Sequence, residues 1–326
     1  MAKLSEFDLI AKLFRPLVTD PNASDLKDDA ALLVPPQGYD VVVTKDMLLA
    51  DVHFFSDDPP HLVAKKALRA NVSDLISKGA KPWRYSLGLA VPEGLEDNYL
   101  KSFTEGLAED QAHYGLSLLG GDTTRSQAGL IISITAYGLV PAGKMVTRLN
   151  ANPGDHVYVT GSLGAGAIGL QVRRDKTSFN QCPKDVLDAL VGAYLLPQPP
   201  IEATSLVSRF ASASMDVSDG VFGDLGQLCR ASGVSCEVYL ERLPLSAEVQ
   251  TFLSHYPDYC ENALNGGDDY QCLLSVPEKA VEELTKTAGE LQVTFIGRIL
   301  EKAEKPISVL ENEIPSDFPA SGFTHF

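Results

Sequence analysis

This chain of 326 residues has few of the residues that mark disulfide-rich, zinc-binding or nucleic-acid-binding proteins. It contains five cysteines, an odd number, and none of them forms a Cys-x-x-Cys pair. We therefore expect neither a disulfide framework nor a zinc site, and we interpret the cysteines as reduced, mostly structural thiols. Basic residues are in the minority, because 27 Lys and Arg accompany 43 Asp and Glu, for a net charge of −16. This balance argues against a nucleic-acid or anionic-membrane surface, since phosphate contacts need clustered cations.

Long apolar runs are absent as well. No segment approaches the roughly 18 consecutive apolar residues of a membrane span. The first residues, MAKLSEFDLIAKLF, contain no long apolar run and no small-residue cleavage site, so we expect no signal peptide. These absences predict a cytoplasmic protein with no membrane partner and no nucleic-acid partner.

The motifs of several common enzyme classes are also missing. The chain has no Gly-x-x-x-x-Gly-Lys-[Ser/Thr] P-loop, no Gly-x-Ser-x-Gly elbow and no His-Glu-x-x-His pair. GAGAIG at 164–169 does match Gly-x-Gly-x-x-Gly after a strand-like segment. However, the polar stretch 173–187 offers no second strand from which Asp185, the acidic residue at about the required distance, would project. We favour a tight glycine-rich turn packed against a helix over a dinucleotide site.

What the chain does contain is a mixture of strand-like and helical segments. Its length suggests two domains, and its 44% hydrophobic content is ordinary for a globular enzyme. The polar turn LNANPGD at 149–155 is the best candidate boundary. We predict an α/β (α+β) protein with domains at 1–149 and 150–326. The predicted strands are 39–44, 85–91, 115–121, 130–140 and 155–161, and the clearest predicted helices are 60–72 and 98–115.

Aspartates stand at the ends of many of these apolar segments. Val-Ser-Asp occurs twice, at 72–74 and 217–219, and Gly-Gly-Asp occurs at 120–122 and 266–268. We interpret each Val-Ser-Asp as a loop–helix junction, where Ser and Asp either cap the helix or place a carboxylate beside a metal or phosphate. For one aspartate a cap or turn is the simpler interpretation, but the whole set favours Mg²⁺, which prefers oxygen ligands. The set comprises Asp28, Asp29, Asp46, Asp74, Asp122, Asp216, Asp219, Asp268 and Asp269.

The order and spacing of the motif segments carry a family resemblance over nearly the whole chain. The chain resembles the thiamine-monophosphate kinase family, within the superfamily that includes aminoimidazole ribonucleotide synthetase. The segments, from EFDLIAKLF to the terminal GFTHF, include DDAALLV, TKDMLLADVHF, KALRANVSDLISKGAKP, LLGGDTTRS, VTRLNANPGDHVYVTG, MDVSDGVFGDLG and NGGDDYQC.

The resemblance implies a fold and an activity. The implied fold is a two-domain aminoimidazole ribonucleotide synthetase-like fold, with an N-terminal sheet forming the interface of a homodimer and a C-terminal α/β domain completing the ATP and substrate site. The implied activity is phosphorylation of thiamine monophosphate to thiamine diphosphate, by direct in-line transfer from ATP with Mg²⁺. Carried over by position, the implied metal set is Asp29, Thr44, Lys45, Asp46, Asp74, Asp122, Asp216 and Asp219.

The remaining implied site residues contact ATP or the acceptor. The positions implied for ATP are Gly121, Asp122, Arg148 and Ser218. Those implied for thiamine monophosphate are His53, Asp268 and Phe323, with Phe323 stacking near the thiamine rings. Asp219 and Arg148 are the implied catalytic residues, with Arg148 assisting neutralisation of phosphate charge.

Three departures from the family pattern bear on this reading. Lys27 stands where Gly is usual, Lys45 where Thr is usual, and Asp268 where Glu is usual. Lys45 either places an ammonium where a cation would lie or contributes only its backbone carbonyl. Two alternatives therefore stay open, a related ATP-dependent phosphoryl transferase acting on another small substrate and a nucleotide- or metal-binding dimer without turnover. The first cysteine, Cys182, lies too far along the chain for a selenophosphate synthetase.

Overall fold

The computed structural model describes residues 5–323, and the chain forms two compact units. The N-terminal unit extends to Leu75 and resumes over Ala80–Lys144. The C-terminal unit takes in Ile76–Gly79 and continues from Met145. The boundary predicted after residue 149 lies a few residues beyond Lys144. No helix within residues 5–323 combines the length and the apolar character that crossing a bilayer requires.

The N-terminal unit is built on one four-stranded sheet. Its strands are β1 (Tyr39–Leu49), β2 (Lys81–Pro92), β3 (Leu118–Ser126) and β4 (Ile131–Pro141). Its α-helices are α1 (Glu6–Leu9), α2 (Pro60–Ser77, which runs into the C-terminal unit) and α3 (Asp97–Tyr114). The spatial order is β1-β4-β2-β3. β4 pairs antiparallel with β1 and β2, while β2 and β3 are parallel and are connected through α3, since parallel strands need a long crossover.

The two faces of this sheet differ, because alternate residues of a strand point to opposite sides. On one side, Ile132 and Ile134 of β4 are at most 1% exposed. Helices α2 and α3 lie on this side, where Asn71 of α2 accepts a hydrogen bond from a β1 amide and Gln111 of α3 accepts one from the β2 tyrosine. On the other side, Val43 and Met47 of β1 are 57% and 50% exposed.

The C-terminal unit contains a seven-stranded sheet in the order β11-β10-β7-β9-β5-β8-β6. Among its strand pairs within residues 5–323, only β7–β10 is parallel. The strands are β5 (His156–Thr160), β6 (Ala213–Asp216), β7 (Ser235–Tyr239), β8 (Cys272–Val276), β9 (Val293–Leu300), β10 (Ile307–Glu311) and β11 (Ile314–Pro315). The helices are α4 (Ala165–Arg174), α5 (Lys184–Leu195), α6 (Ala203–Phe210), α7 (Val221–Ser232), α8 (Ala247–His255), α9 (Cys260–Asn265) and α10 (Val281–Thr287).

Two apolar cores hold this unit together. The larger core packs Phe222 and Leu225 of α7 against sheet residues such as Val157 and Val159. The smaller one joins α4, α5 and α8 through Ile168, Leu190 and Phe252. Helix α7 is therefore fixed on the sheet along its apolar side, which positions the loop that precedes it.

The predicted strands and helices are confirmed, but several aspartates lie elsewhere than predicted. The first Val-Ser-Asp is not at a loop–helix junction, because α2 continues through it to Ser77 and buries Val72 and Leu75. Asp46 and Asp122 were predicted at strand ends, whereas both lie inside strands, β1 and β3. These strands run on past their apolar stretches because they find sheet partners, Ile134 for Asp46 and Gly88 for Asp122.

Candidate functional site

The first carboxylate pair of the N-terminal unit joins β1 to α2. Thr44 and Asp46 are two residues apart in β1 and therefore share one face of the sheet. The Thr44 hydroxyl donates a hydrogen bond to Asp74 Oδ2 in α2, and the Asp46 amide donates one to Asn71 Oδ1 at 3.2 Å. Burial, together with the negative charge of Asp74, raises the pKa of Asp46 to about 6, although Lys45 partly opposes this. Two nearby carboxylates in a partly buried setting fit a hard divalent cation.

Lys45 lies on the opposite face of β1 from this pair. Its Nζ donates hydrogen bonds to Ser133 Oγ at 2.6 Å and to Thr135 Oγ1 at 3.4 Å, both on β4. The ammonium is thus directed away from the face that carries Thr44 and Asp46. A metal contact through the Lys45 backbone carbonyl stays a prediction.

Asp29, Gly121 and Asp122 line one cavity of about 540 Å³ within the N-terminal unit. Its polar residues also include Asp28 and Thr123, and its apolar wall comes from residues such as Phe14, Leu87 and Leu118. Gly121 lets β3 lie close to β2, because a Cβ at this position would be 2.0 Å from the Leu87 carbonyl oxygen. A cavity of this size, apolar with a few convergent oxygens, suits a nucleotide-sized ligand.

His53 closes the turn that follows β1. Its Nδ1 accepts a hydrogen bond from the Leu49 amide at 3.1 Å, and its own amide donates to the Leu49 carbonyl at 2.9 Å. Nδ1 is therefore the unprotonated nitrogen in this arrangement, which leaves Nε2 to carry a proton. Contact between His53 and a substrate stays a prediction.

The second set of predicted residues lies in the C-terminal unit, around the loop between β6 and α7. Asp216 is the last residue of β6 and is 6% exposed, and Ser218 and Asp219 follow in the loop. Arg148 is exposed and donates a hydrogen bond from Nη1 to Gln227 of α7 at 3.2 Å. The loop therefore carries two carboxylates and a hydroxyl at the start of α7, whereas the contacts of Arg148 lie farther along this helix, at Gln227 and Ser232.

Asp224, which is not among the residues predicted from the sequence, accepts hydrogen bonds from the backbone of this loop. It lies in the first turns of α7, is 1% exposed, and accepts hydrogen bonds from the Ser218 and Asp219 amides. Burial and the charges of Asp216 and Asp219 raise the pKa of Asp224 well above its usual range, against the lowering effect of the two amide bonds. The sequence does contain an indication of this role, because Asp224 lies in the first turn of the helix that follows the loop. From that position a carboxylate can accept hydrogen bonds from the amides that precede the helix.

Asp268 and Phe323 are hydrogen-bonded to the same loop through their backbones. The Asp268 amide donates to the Ser218 carbonyl at 3.0 Å, and the Phe323 amide donates to the Asp219 carbonyl at 2.9 Å. Asp268 has φ +62° and Gly267 has φ +77°, and a Cβ on Gly267 would lie 2.0 Å from the Ser218 carbonyl oxygen. The backbone of the Gly-Gly-Asp segment therefore lies so close to the loop that a side chain at Gly267 would clash with it. The last three residues of GFTHF lie outside the described residues.

The glycine-rich turn GAGAIG opens helix α4, and a carboxylate of the protein already lies at its amides. Buried Asp269 accepts the Gly164 N–H at 2.9 and 3.0 Å, and burial raises the pKa of Asp269 to about 7. A dinucleotide site needs this helix terminus for its pyrophosphate. The arrangement agrees with the tight packed turn that the sequence reading favoured.

The carboxylates thus occur in two sets, one in each unit. Within residues 5–323, no three His, Cys, Asp or Glu side chains gather into a metal-binding group. Mg²⁺ is usually held by one or two carboxylates together with waters and substrate phosphates. The Asp46–Asp74 and Asp216–Asp219 sets have the donor chemistry for that mode of binding, in which phosphate oxygens complete the coordination.

The sequence of the chain matches two protein families in succession. The family AIR synthase related protein, N-terminal domain, matches residues 27–140, and AIR synthase related protein, C-terminal domain, matches residues 152–309. The thiamine-monophosphate kinase of Caulobacter vibrioides is 39% identical over 303 residues, which cover 91% of this chain and 84% of that protein. The chain belongs to the thiamine-monophosphate kinase family.

Solved structures of the thiamine-monophosphate kinase family have the same fold along the whole chain. The enzyme of Stenotrophomonas maltophilia is 31% identical with a TM-score of 0.82, and the match covers 98% of each chain. The complex of AaThiL with AMPPCP and TMP is also 31% identical, has a TM-score of 0.78, and covers 100% of this chain and 99% of that one. The two-domain α/β fold expected from the resemblance is confirmed.

Proposed function

We propose that this protein transfers the γ-phosphoryl group of ATP to thiamine monophosphate, giving thiamine diphosphate and ADP. The observation that carries the proposal is the full-length likeness to AaThiL, which was solved with AMPPCP and TMP bound. Independent support comes from the two sets of carboxylates, because the chain has no P-loop and must neutralise phosphate charge by another means.

The residues divide into three roles in this reaction. Asp29, Thr44, Asp46, Asp74 and Asp122 of the N-terminal unit, with Lys45 through its carbonyl, and Asp216 and Asp219 of the C-terminal unit would hold Mg²⁺. The cation supplies neutralisation of charge on the phosphates and a template for their alignment. Gly121, Ser218 and Arg148 contact ATP. His53, Asp268 and Phe323 contact thiamine monophosphate.

Transfer is direct and in line, with an oxygen of the acceptor phosphate as the nucleophile. Such a reaction asks for alignment and charge neutralisation more than for covalent participation of the protein. Arg148 is exposed, and its guanidinium, which donates a hydrogen bond to Gln227, is the cation that we assign to the phosphate oxygens of ATP. The acceptor phosphate already carries negative charge, so no strong general base is required.

The active form is a homodimer that pairs the exposed faces of the N-terminal sheets. Val43 and Met47 project from that face and are half exposed, and such apolar side chains on an ordered sheet suit a partner surface. Sedimentation velocity tests this assignment, since Val43→Asp should shift the protein to the mass of a monomer. A cytoplasmic location stays a prediction from the sequence.

Release of ADP from ATP and Mg²⁺ in the presence of thiamine monophosphate tests the proposed activity. Thiamine and phosphorylated aminoimidazole precursors serve as alternative acceptors. Turnover with thiamine monophosphate alone, with thiamine diphosphate found as the product by mass, is the expected result. Turnover only with another acceptor would assign a different substrate, and Mg²⁺-dependent ATP binding without turnover would indicate a binding protein.

A further inference from the structure

The loop between β6 and α7 is held from both sides of its backbone. On the amide side, Asp224 Oδ2 accepts the N–H groups of Ser218 at 3.0 Å and of Asp219 at 2.9 Å. On the carbonyl side, Ser218 accepts the Asp268 amide and Asp219 accepts the Phe323 amide. Ser218 and Asp219, which are assigned to ATP and to metal, are therefore also hydrogen-bonded to the segments that carry Asp268 and Phe323, which are assigned to thiamine monophosphate.

We propose that Asp224 is the positioning residue that fixes the Ser218–Asp219 peptides and, through them, both the nucleotide-binding and the acceptor-binding groups. This inference rests on the proposed function for the roles of Ser218, Asp219, Asp268 and Phe323. Asp224 is 1% exposed, so we assign it no direct contact with the substrates. It acts through the orientation of the two peptides.

The placement of Asp224 suits this role. It is 1% exposed, and its helix is fixed by Phe222 and Leu225, which pack in the larger core of the C-terminal unit. Its own amide donates to the Gly220 carbonyl at 3.0 Å, so the carboxylate belongs to a regular helix turn. A single oxygen that accepts two successive amides restricts the rotation of both peptide planes, and at 1% exposure water does not compete for these hydrogen bonds.

The C-terminal segment that carries Phe323 is also hydrogen-bonded to Asn265, at the end of α9. Asn265 Nδ2 donates to the Pro319 carbonyl at 2.8 Å, and Asn265 Oδ1 accepts the Ser321 amide at 3.1 Å. The C-terminal segment therefore passes beside α7, where Gly322 packs against Gly223, and reaches the loop, where the Phe323 amide donates to the Asp219 carbonyl. A change in the Ser218–Asp219 peptides should consequently affect the acceptor as well as ATP.

Three variants separate positioning from general stability. Asp224→Ala removes the oxygen that accepts the Ser218 and Asp219 amides. Asp224→Asn retains one oxygen that can accept both hydrogen bonds, and its NH₂ group can face Asp216 and Asp219. Asp155→Ala is the matched control. Asp155 is also buried in the C-terminal unit and accepts a backbone amide, that of Asn152, but it lies next to Ser212, at the start of β6 rather than the end.

We expect Asp224→Ala to raise the KM for ATP and the KM for thiamine monophosphate, each by about tenfold or more, because small displacements of positioned groups are costly. Asp224→Asn should keep both within about threefold, and Asp155→Ala should lower the thermal midpoint while leaving both KM values within about twofold. Equal KM changes in Asp224→Ala and Asp155→Ala, or failure of Asn to rescue, would overturn the proposal.

Amide hydrogen exchange provides a readout that does not depend on activity. In the metal-free protein the Ser218 and Asp219 amides should be protected in the wild type and in Asp224→Asn, and should exchange about tenfold faster or more in Asp224→Ala. Unprotected amides in the wild type would overturn the proposal even if Asp224→Ala failed to fold. If the wild type lacked activity on thiamine monophosphate while this exchange pattern held, the proposed function would fail and the positioning of the loop would stand.

Discussion

Replacement of Asp74 by Asn should stabilise the protein without Mg²⁺ and destabilise it, relative to the wild type, with Mg²⁺. The reason lies in Asp46, whose pKa is raised from 3.8 to about 6 by burial and by the charge of Asp74. At 1.36 kcal/mol per pKa unit, ionised Asp46 costs the folded metal-free protein up to about 3 kcal/mol. The Asp74 charge is the smaller contribution, and we assign it about 1 kcal/mol.

The sign of the pH dependence follows from the raised pKa. Below pH 3.8 Asp46 is protonated in both the folded and unfolded states, and it costs nothing. Between pH 3.8 and about 6 the unfolded state ionises first, so folding stability falls as pH rises, and above pH 6 the full cost is present. The stabilising effect of Asp74→Asn should therefore be complete at pH 7.5 and small at pH 4.

Thermal unfolding with EDTA and with Mg²⁺ measures both effects. Without Mg²⁺ the thermal midpoint of Asp74→Asn should exceed that of the wild type by about 1–2 °C at pH 7.5, since the unfolding entropy of a 326-residue chain is large. With Mg²⁺ at one hundred times its dissociation constant the wild type gains about 2.7 kcal/mol, and the order of the two proteins should reverse. Kinase activity of the variant should be lost. Asp258→Asn, which removes the same charge from an exposed position, is the control.

A lower midpoint of Asp74→Asn in EDTA, or equal gains of both proteins from Mg²⁺, would refute this reasoning. The first result would mean that the Thr44–Asp74 hydrogen bond outweighs the repulsion between the carboxylates. The second would remove Asp74 from the metal set. Retained activity would have the same consequence.

Three further outcomes are expected. Lys45→Ala should leave the Mg²⁺ concentration for half-maximal activity within about twofold of the wild-type value, because the ammonium binds Ser133 on the other face of β1. A larger drop in that concentration would mean that the ammonium occupies a cation position. Phe323→Ala should raise the KM for thiamine monophosphate about tenfold through lost ring contact while calorimetry finds MgATP affinity unchanged, and equal losses for both ligands would contradict it. Gly121→Ala should lower the free energy of unfolding, measured in urea, by about 3 kcal/mol, because the added Cβ would clash with the Leu87 carbonyl. Gly120→Ala, whose Cβ would have nothing within 4 Å, is the control and should lower the free energy of unfolding far less.

Much of the fold follows from local pattern. Alternating and continuous apolar residues over 39–44, 85–91 and 130–140 predicted strands that the structure confirms, because side-chain burial on a sheet repeats every two residues. The ends of the elements were harder to place. Strands β1 and β3 extend through Asp46 and Asp122 because partner strands supply hydrogen bonds, and no residue within those segments signals that partner.

The sequence by itself determined the family, the α/β class and the aspartates that form the candidate site, because these depend on residue types and spacing along the chain. Only the tertiary structure decided which of them meet. Thr44 and Asp74 are thirty residues apart and meet because α2 packs across β1, while Lys45 points away because adjacent residues of a strand face opposite sides. Asp224 gained its role in the same way: its two amide bonds depend on how the loop after β6 turns into α7, which residue identity alone does not specify.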